Sequence, residues 1–293
     1  MTSSSASGAS GASGPAAGRT FFITGGNTGI GLATAIALAR DGGRVYIACR
    51  SAAAGEAAVA RIMSESGSAD VRLLPLDLAS LSSVRACAAA FLARDEPLHV
   101  LVNNAGVGGQ RGITEDGFEL HFGVNHLGHF ALTQLLLGRL AASGPGARVV
   151  NVSSEAHYSA PGIDFAAVRR PTATFTGTRE YAVSKLCNVL FTQELARRLD
   201  GAAVVHAYAL HPGVVASDIW RRVPRLARPF LTRRMLTTEQ GAVTSVYCAT
   251  SADVAADSGL FYDKCAARAA SPVATPQLAA LLWQHSAEWT GLG

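Results

Sequence analysis

Tyr181 and Lys185 stand four residues apart in the stretch YAVSKLCNVL, whose apolar residues then recur at helical spacing. On a helix, side chains four apart share one face about 6 Å apart, so a phenol and an ammonium could act there on one ligand. The same spacing serves two polar residues on an ordinary helix face, and the pair alone does not separate the readings. A second chemical signature is TGGNTGIG, Thr24 to Gly31. Gly25, Gly29 and Gly31 allow a tight turn and close approach of backbone to a ligand. The helix that follows offers free N–H groups and a positive dipole end to a pyrophosphate. Where an NAD enzyme usually carries an acid, about 20 residues past the glycines, the chain reads IACRS, with Cys49, Arg50 and no carboxylate. A guanidinium suits a 2′-phosphate and gains little from bare hydroxyls, so NADP(H) is the expected cofactor.

Such residues work together only if the fold brings them to one edge. TFFIT reads as a short buried strand ahead of the Gly-rich turn. RVYIACR, VRLLPLD, LHVLVNNAG, ARVVNVSS, AVVHAYALHPG and GLFYD read as further strands. Helical stretches separate them, among them GLATAIALARDG, AAVARIMSES, SVRACAAAFLARD and VNHLGHFALTQLLLGRL. Alternating strands and helices imply right-handed crossovers and a parallel sheet covered on both faces. The expected fold is α/β: a single doubly wound Rossmann-type domain over residues 19–293, with a central parallel sheet and helices on both faces. Ligands bind such sheets at the carboxyl ends of the strands.

Composition narrows the function classes. At 293 residues, 49% hydrophobic and 16% charged, the chain can bury a full core. A net charge of +4 is mild and does not suggest a nucleic-acid protein, which usually carries a concentrated basic face; the basic concentration here is RRVPRLARPFLTRR, residues 221–234. Five scattered cysteines with no C-x-x-C pair fit reduced thiols in a cytoplasmic protein. No His, Cys or carboxylate cluster has metal-ligand spacing, so no metal is expected. No apolar run reaches the roughly 18 to 20 residues of a membrane span. Residues 1–18, rich in Ser, Gly and Ala, read as a disordered tail with no signal-peptide pattern. The Ala- and Arg-rich composition fits a GC-rich bacterial genome.

The spacing T-G-x-x-x-G-x-G, NNAG at 103–106 and the Tyr181–Lys185 pair together resemble the short-chain dehydrogenase/reductase family over nearly all of the chain from Arg19 onward. VYIACRS, TEDGFELHFGVNHLGHFALT, RVVNVSSEAH, SKLCNVLFTQELARRL and HPGVV look most like its retinol dehydrogenase and WW-domain oxidoreductase branch. The resemblance implies that Thr24, Gly25, Gly29, Ile30 and Gly31, with Asn27 and Thr28 in the same turn, frame the pyrophosphate. Arg50 would hold the 2′-phosphate, and Asp77 and Leu78 would flank the adenine. Asn103, Ala105 and Gly106 would support the sheet and the adenosine half. Pro212, Gly213, Val215 and Ser217 match the segment that holds the carboxamide. The implied catalytic set is Asn125, Ser154, Tyr181 and Lys185, with Ser153 as a turn or backbone partner. Lys185 would also bind the nicotinamide ribose, and Asn125 would hold a water that refills the proton relay.

In that scheme Tyr181 protonates the oxygen of a carbonyl as hydride reaches its carbon. Lys185 and the oxidised nicotinamide lower the phenol's pKa, and Ser154 hydrogen-bonds the substrate oxygen. Packing or capping is the expected role of His126, His129 and His211, and His157 and Tyr158 are not expected to act directly. The segment DIWRRVPRLARPFLTRRML matches the family's substrate lid, about residues 217–238. Trp220, Leu226, Phe230, Leu231, Met235 and Leu236 could line an apolar pocket there. Its arginines fit a solvated face, an acidic substrate or carrier protein, or peripheral membrane contact. The expected activity is NADP(H)-dependent reduction of a ketone or aldehyde of a bulky hydrophobic metabolite, such as a polyketide or terpenoid. The alternatives are an alcohol or retinol-type dehydrogenase, a reductase of carrier-bound acyl groups, or a non-catalytic NADP-binding module. Homo-oligomers are common in the family, and the chain itself carries no signal for one.

Overall fold

In a computed structural model of the chain, which describes residues 14–199, 204–215 and 236–292, the expected strands form one sheet. They are β1 (Thr20–Thr24), β2 (Arg44–Cys49), β3 (Val71–Pro75), β4 (Val100–Asn103), β5 (Ala147–Val152), β6 (Val205–His211) and β7 (Leu260–Asp263), joined by an eighth, β8 (Ala266–Arg268). Their order is β3-β2-β1-β4-β5-β6-β7-β8, parallel throughout except for the antiparallel β7–β8 pair. The order reverses between β1 and β4, so a crevice opens at their carboxyl ends.

Helices α1 (Gly29–Arg40), α2 (Ala52–Ser66), α3 (Leu81–Leu92), α4 (Gly128–Ala142), α5 (Thr178–Leu199), α6 (Thr238–Thr250) and α7 (Pro276–Thr290) cover the sheet. Alternation along each strand sorts its side chains between two cores, as a period of two requires. Phe22, Tyr46 and Val149 join a core with residues of α3, α4 and α5. Phe21, Ile23, Val45, Ile47 and Val150 join the other, with residues of α1, α2 and α6. The chain is therefore one α/β Rossmann-type domain.

Three features depart from the sequence expectations. β8 follows β7 through Lys264 and Cys265, at φ 50° and 60°. These are left-handed positions that a hairpin usually gives to Asn or Gly, so the turn carried no signal. Beyond it, α7 starts at Pro276 with the Thr275 hydroxyl accepting the Leu278 N–H, and it ends at left-handed Gly291. It packs Ala279 and Leu282 into a third core with Leu186 and Leu190 of α5. Finally, Gly14–Gly18, assigned by composition to the tail, form a turn beneath β1. Ala16 is fully buried there in the core of Phe21 and Ile23, and Gly14 lies so close to Asp41 that a Cβ would come within 2.8 Å of its carbonyl oxygen. The packed body thus includes these residues. Most of the expected lid lies outside the described residues; the chain leaves at Val215 and returns beside it at Leu236.

Because α7 seats α5, Leu282→Ala should destabilise the protein by about 2–5 kcal/mol. Urea unfolding followed by circular dichroism measures this, and an unchanged midpoint would mean that α7 does not support α5.

Candidate active site

Thr24 ends β1 fully buried. Its hydroxyl accepts the N–H groups of Asn104 (2.9 Å) and Ala105 (3.0 Å), and Asn104 Nδ2 donates to the Thr24 carbonyl at 2.8 Å. The Gly-rich turn is thereby fastened to the segment after β4. Gly25 and Gly29 sit at φ 66° and 57°, where a side chain is strained. A Cβ on Gly31 would lie 2.4 Å from both Asn104 Nδ2 and the Gly25 carbonyl oxygen, so only glycine lets α1 start this close.

A cavity of about 620 Å³ opens over this turn. Gly25, Asn27, Thr28, Gly29, Ile30 and Gly31 line it from one side, with Cys49 and Arg50 after β2 and Asp77 and Leu78 after β3. Ala105 and Gly106 after β4, Pro212 after β6, and Tyr181 and Lys185 of α5 complete the expected members. Its size falls within the range of small-molecule sites. Arg50 is exposed and makes no hydrogen bond or ion pair with the described residues. The cradle therefore has a glycine turn that a Cβ would obstruct and a helix N-terminus, which together fit a dinucleotide, with the Arg50 guanidinium at the end of β2.

Some expected residues act at one remove. Asn103 does not line the cavity; its Nδ2 donates to Thr133 Oγ1 (2.9 Å) and Asn151 Oδ1 (2.8 Å), tying β4 to α4 and β5. Gly213 and Val215 also stand outside it. Val215 packs so closely on α6 that a Cβ on Gly241 would lie 2.5 Å from its Cγ2. Ser217 lies outside the described residues, as do Trp220, Leu226, Phe230, Leu231 and Met235. Asn104, Ser51, Leu76, Val107, Gln110 and Val124 line the cavity without having been anticipated. Only Asn104 had a signal, its place in NNAG.

The four catalytic candidates come from three elements around the end of β5. Asn125 sits in one π-helical turn, Phe122–Leu127, at the head of α4, a distortion common at functional sites. Its Oδ1 accepts the Val107 N–H at 2.8 Å, and its Nδ2 donates to the Val107 carbonyl and Ser184 Oγ, both at 3.0 Å. Ser154 Oγ accepts the Ala156 N–H at 3.2 Å, and its hydroxyl stands beside the Tyr181 phenol. Ser153 instead donates to the Lys185 carbonyl at 2.7 Å, a backbone role. Lys185 is buried; its Nζ donates to the Val152 carbonyl at 3.0 Å and lies 5.5 Å from the centre of the Tyr181 ring.

Burial sets the protonation of the pair. It pulls the Lys185 ammonium down to about 8. It pushes the Tyr181 phenol above its ordinary value, and a hydrogen bond with the Ser154 hydroxyl offsets part of that rise. At Tyr181 burial outweighs the expected lowering, and the oxidised nicotinamide invoked beside Lys185 would act on the phenol only when bound. A protonated phenol at neutral pH is suited to donate.

Burial also holds histidines neutral, with His126 pulled down to about 3 and His129 to about 4, and His157 lowered. His157 donates Nδ1–H to the Ser154 carbonyl at 2.7 Å and accepts the Ser271 N–H at 3.2 Å. An unfolded histidine takes up a proton near 6.5, whereas these do so only at lower pH. Stability should therefore be full above about pH 6.5 and fall as pH drops below it, by up to about 1.4 kcal/mol per pH unit for each such histidine. Urea midpoints between pH 7 and 5 measure the slope, and a flat profile would mean that the histidines titrate normally in the fold.

Among the described residues, no group of three or more His, Cys, Asp or Glu is gathered as for a metal, and no helix is long and apolar enough to cross a membrane. Residues 19–226 match the short chain dehydrogenase family. Over 285 residues the chain is 46% identical to mouse Retinol dehydrogenase 12, covering 94% of this chain and 87% of that protein. Human Retinol dehydrogenase 11 is 43% identical over 279 residues, covering 94% and 86%. An uncharacterized protein from Mycobacterium Paratuberculosis superposes with a TM-score of 0.75 at 35% identity, covering 94% of both chains. The NADP complex of RhlG from Pseudomonas aeruginosa gives 0.68 at 26% identity, covering 88% of this chain and 97% of that one. The glycine-rich turn, the Asn–Ser–Tyr–Lys cluster and these likenesses agree: the chain belongs to the short chain dehydrogenase family of oxidoreductases.

Proposed function

We propose that the protein is an NADP(H)-dependent oxidoreductase that interconverts the carbonyl and alcohol forms of a bulky, apolar small molecule. The observation that carries this reading is the convergence of Ser154, Tyr181 and Lys185 beside a cavity with a free Arg50 and no acid at the end of β2. The bound nicotinamide would supply or accept the hydride. Gly25 to Gly31 would hold its pyrophosphate, Arg50 the 2′-phosphate, and Pro212, Gly213, Val215 and Ser217 the carboxamide side.

The chain's own residues manage the oxygen. The Ser154 hydroxyl donates a hydrogen bond to it, and Tyr181, held protonated by burial, delivers the proton as negative charge develops. Lys185 places a cation close to the phenolate left behind, and so favours the transfer. In the oxidising direction the same groups run in reverse, with the phenolate as base. A pure binding module would not need all four catalytic side chains.

Two relatives named retinol dehydrogenases, each matching 94% of this chain, favour the retinol-type alcohol over a polyketide ketone as the substrate class. The unpaired cysteines suit a reducing compartment such as the cytoplasm.

Tyr181→Phe should retain NADPH binding, measured by fluorescence titration, while carbonyl reduction falls by about 10²- to 10⁴-fold. Full residual turnover would remove Tyr181 from the chemistry. Loss of a charged hydrogen bond costs about 1.5–3 kcal/mol, so Arg50→Asp should weaken NADPH by about tenfold to a hundredfold and leave NADH little changed. Equal losses for both would show that Arg50 does not read the phosphate.

A further inference from the structure

His129 is buried on α4 one turn beyond Asn125 and faces two polar groups. Its Nδ1 lies 3.0 Å from the Asn125 carbonyl oxygen and its Nε2 lies 2.8 Å from Thr24 Oγ1. A carbonyl can only accept, so Nδ1 carries the proton. The Thr24 hydroxyl already accepts two backbone N–H groups, from Asn104 and Ala105. Its single proton has two directions open, the Val102 carbonyl at 3.4 Å or His129 Nε2 at 2.8 Å. The shorter contact makes Nε2 the acceptor, and both ring nitrogens are then satisfied by a neutral imidazole in one tautomer.

The path continues in one direction. Asn125 Nδ2 donates to Ser184 Oγ at 3.0 Å, and Ser184 Oγ donates to the Tyr181 carbonyl at 2.7 Å. Thr24, His129, Asn125 and Ser184 thus run without a break from the phosphate turn to the backbone of the catalytic tyrosine. We infer that His129 is a positioning residue that fixes Asn125, and through it the catalytic end of α5, in register with the phosphate turn. This rests on the function proposed above, in which the cofactor lies on that turn and the proton comes from Tyr181. A displacement of about 1 Å between reacting groups can cost a hundredfold in rate.

The test compares His129→Leu, which removes both links, with His129→Asn, whose amide nitrogen can replace Nδ1 as donor to the Asn125 carbonyl. For His129→Leu at saturating NADPH, kcat for a bulky apolar aldehyde should fall by about tenfold to a hundredfold, with NADPH affinity close to wild type. His129→Asn should recover most of the loss. Wild-type kcat in His129→Leu, or equal losses in both variants, would overturn the inference. Independently of any variant's folding, ¹⁵N-histidine NMR of the wild type should show His129 as the neutral Nδ1–H tautomer, with no titration near pH 6.5. An Nε2–H signal there would overturn the bridge. This spectrum needs neither cofactor nor substrate. A silent redox assay beside an intact Nδ1–H signal would therefore count against the proposed function and not against the bridge.

Discussion

The hydroxyl of Thr24 is the fastening on which the site depends. At the end of β1 it holds the backbone of Asn104 and Ala105, so the two strands flanking the switch point finish in fixed register. The turn that follows is shaped by glycines at left-handed angles, and Asn104 closes it from the side by bonding the Thr24 carbonyl. A crevice in a parallel sheet is a consequence of topology. The glycine-lined turn on its rim is held by this one buried hydroxyl, with every lone pair and its proton engaged.

The second organising effect is burial of charge and near-charge. Lys185 is pulled toward neutrality and Tyr181 away from ionisation by the same apolar surroundings. The two shifts carry the groups' proton affinities apart from similar ordinary values, so the phenol keeps its proton firmly while the ammonium holds its own less tightly. Backbone carbonyls at the end of β5 and in the turn after it, those of Val152 and Ser154, hold Lys185 and His157 in place. The cluster is thus built from a strand end and two helices, and not from a loop alone.

Much of this was legible in the chain. Short β-branched and aromatic runs alternating with helical periods specify a doubly wound sheet. The glycines of TGGNTGIG and the Tyr181–Lys185 spacing mark its active edge. The illegible parts have physical reasons. The β7–β8 hairpin turns on Lys264 and Cys265, which carry no turn signal. The roles of His129 and His157 depend on which backbone groups tertiary packing brings to each ring nitrogen, and spacing cannot report that. Helix α7 did have a capping signal in Thr275–Pro276, but its importance lies in the face of α5 it covers, a long-range fact. Asn103 was expected to support the sheet and the adenosine half, and its amide clamps β4 to β5 and α4. Both tasks call for the same amide at the same strand end.

The central claim is that hydride passes between a nicotinamide in this cavity and the carbon whose oxygen Tyr181 serves. Turnover of NADPH deuterated at the transferring position, with retinaldehyde or another bulky apolar aldehyde and mass spectrometry of the alcohol, tests it most directly. The product should carry one deuterium on the former carbonyl carbon. An alcohol formed without deuterium from either face of the labelled cofactor would contradict the account.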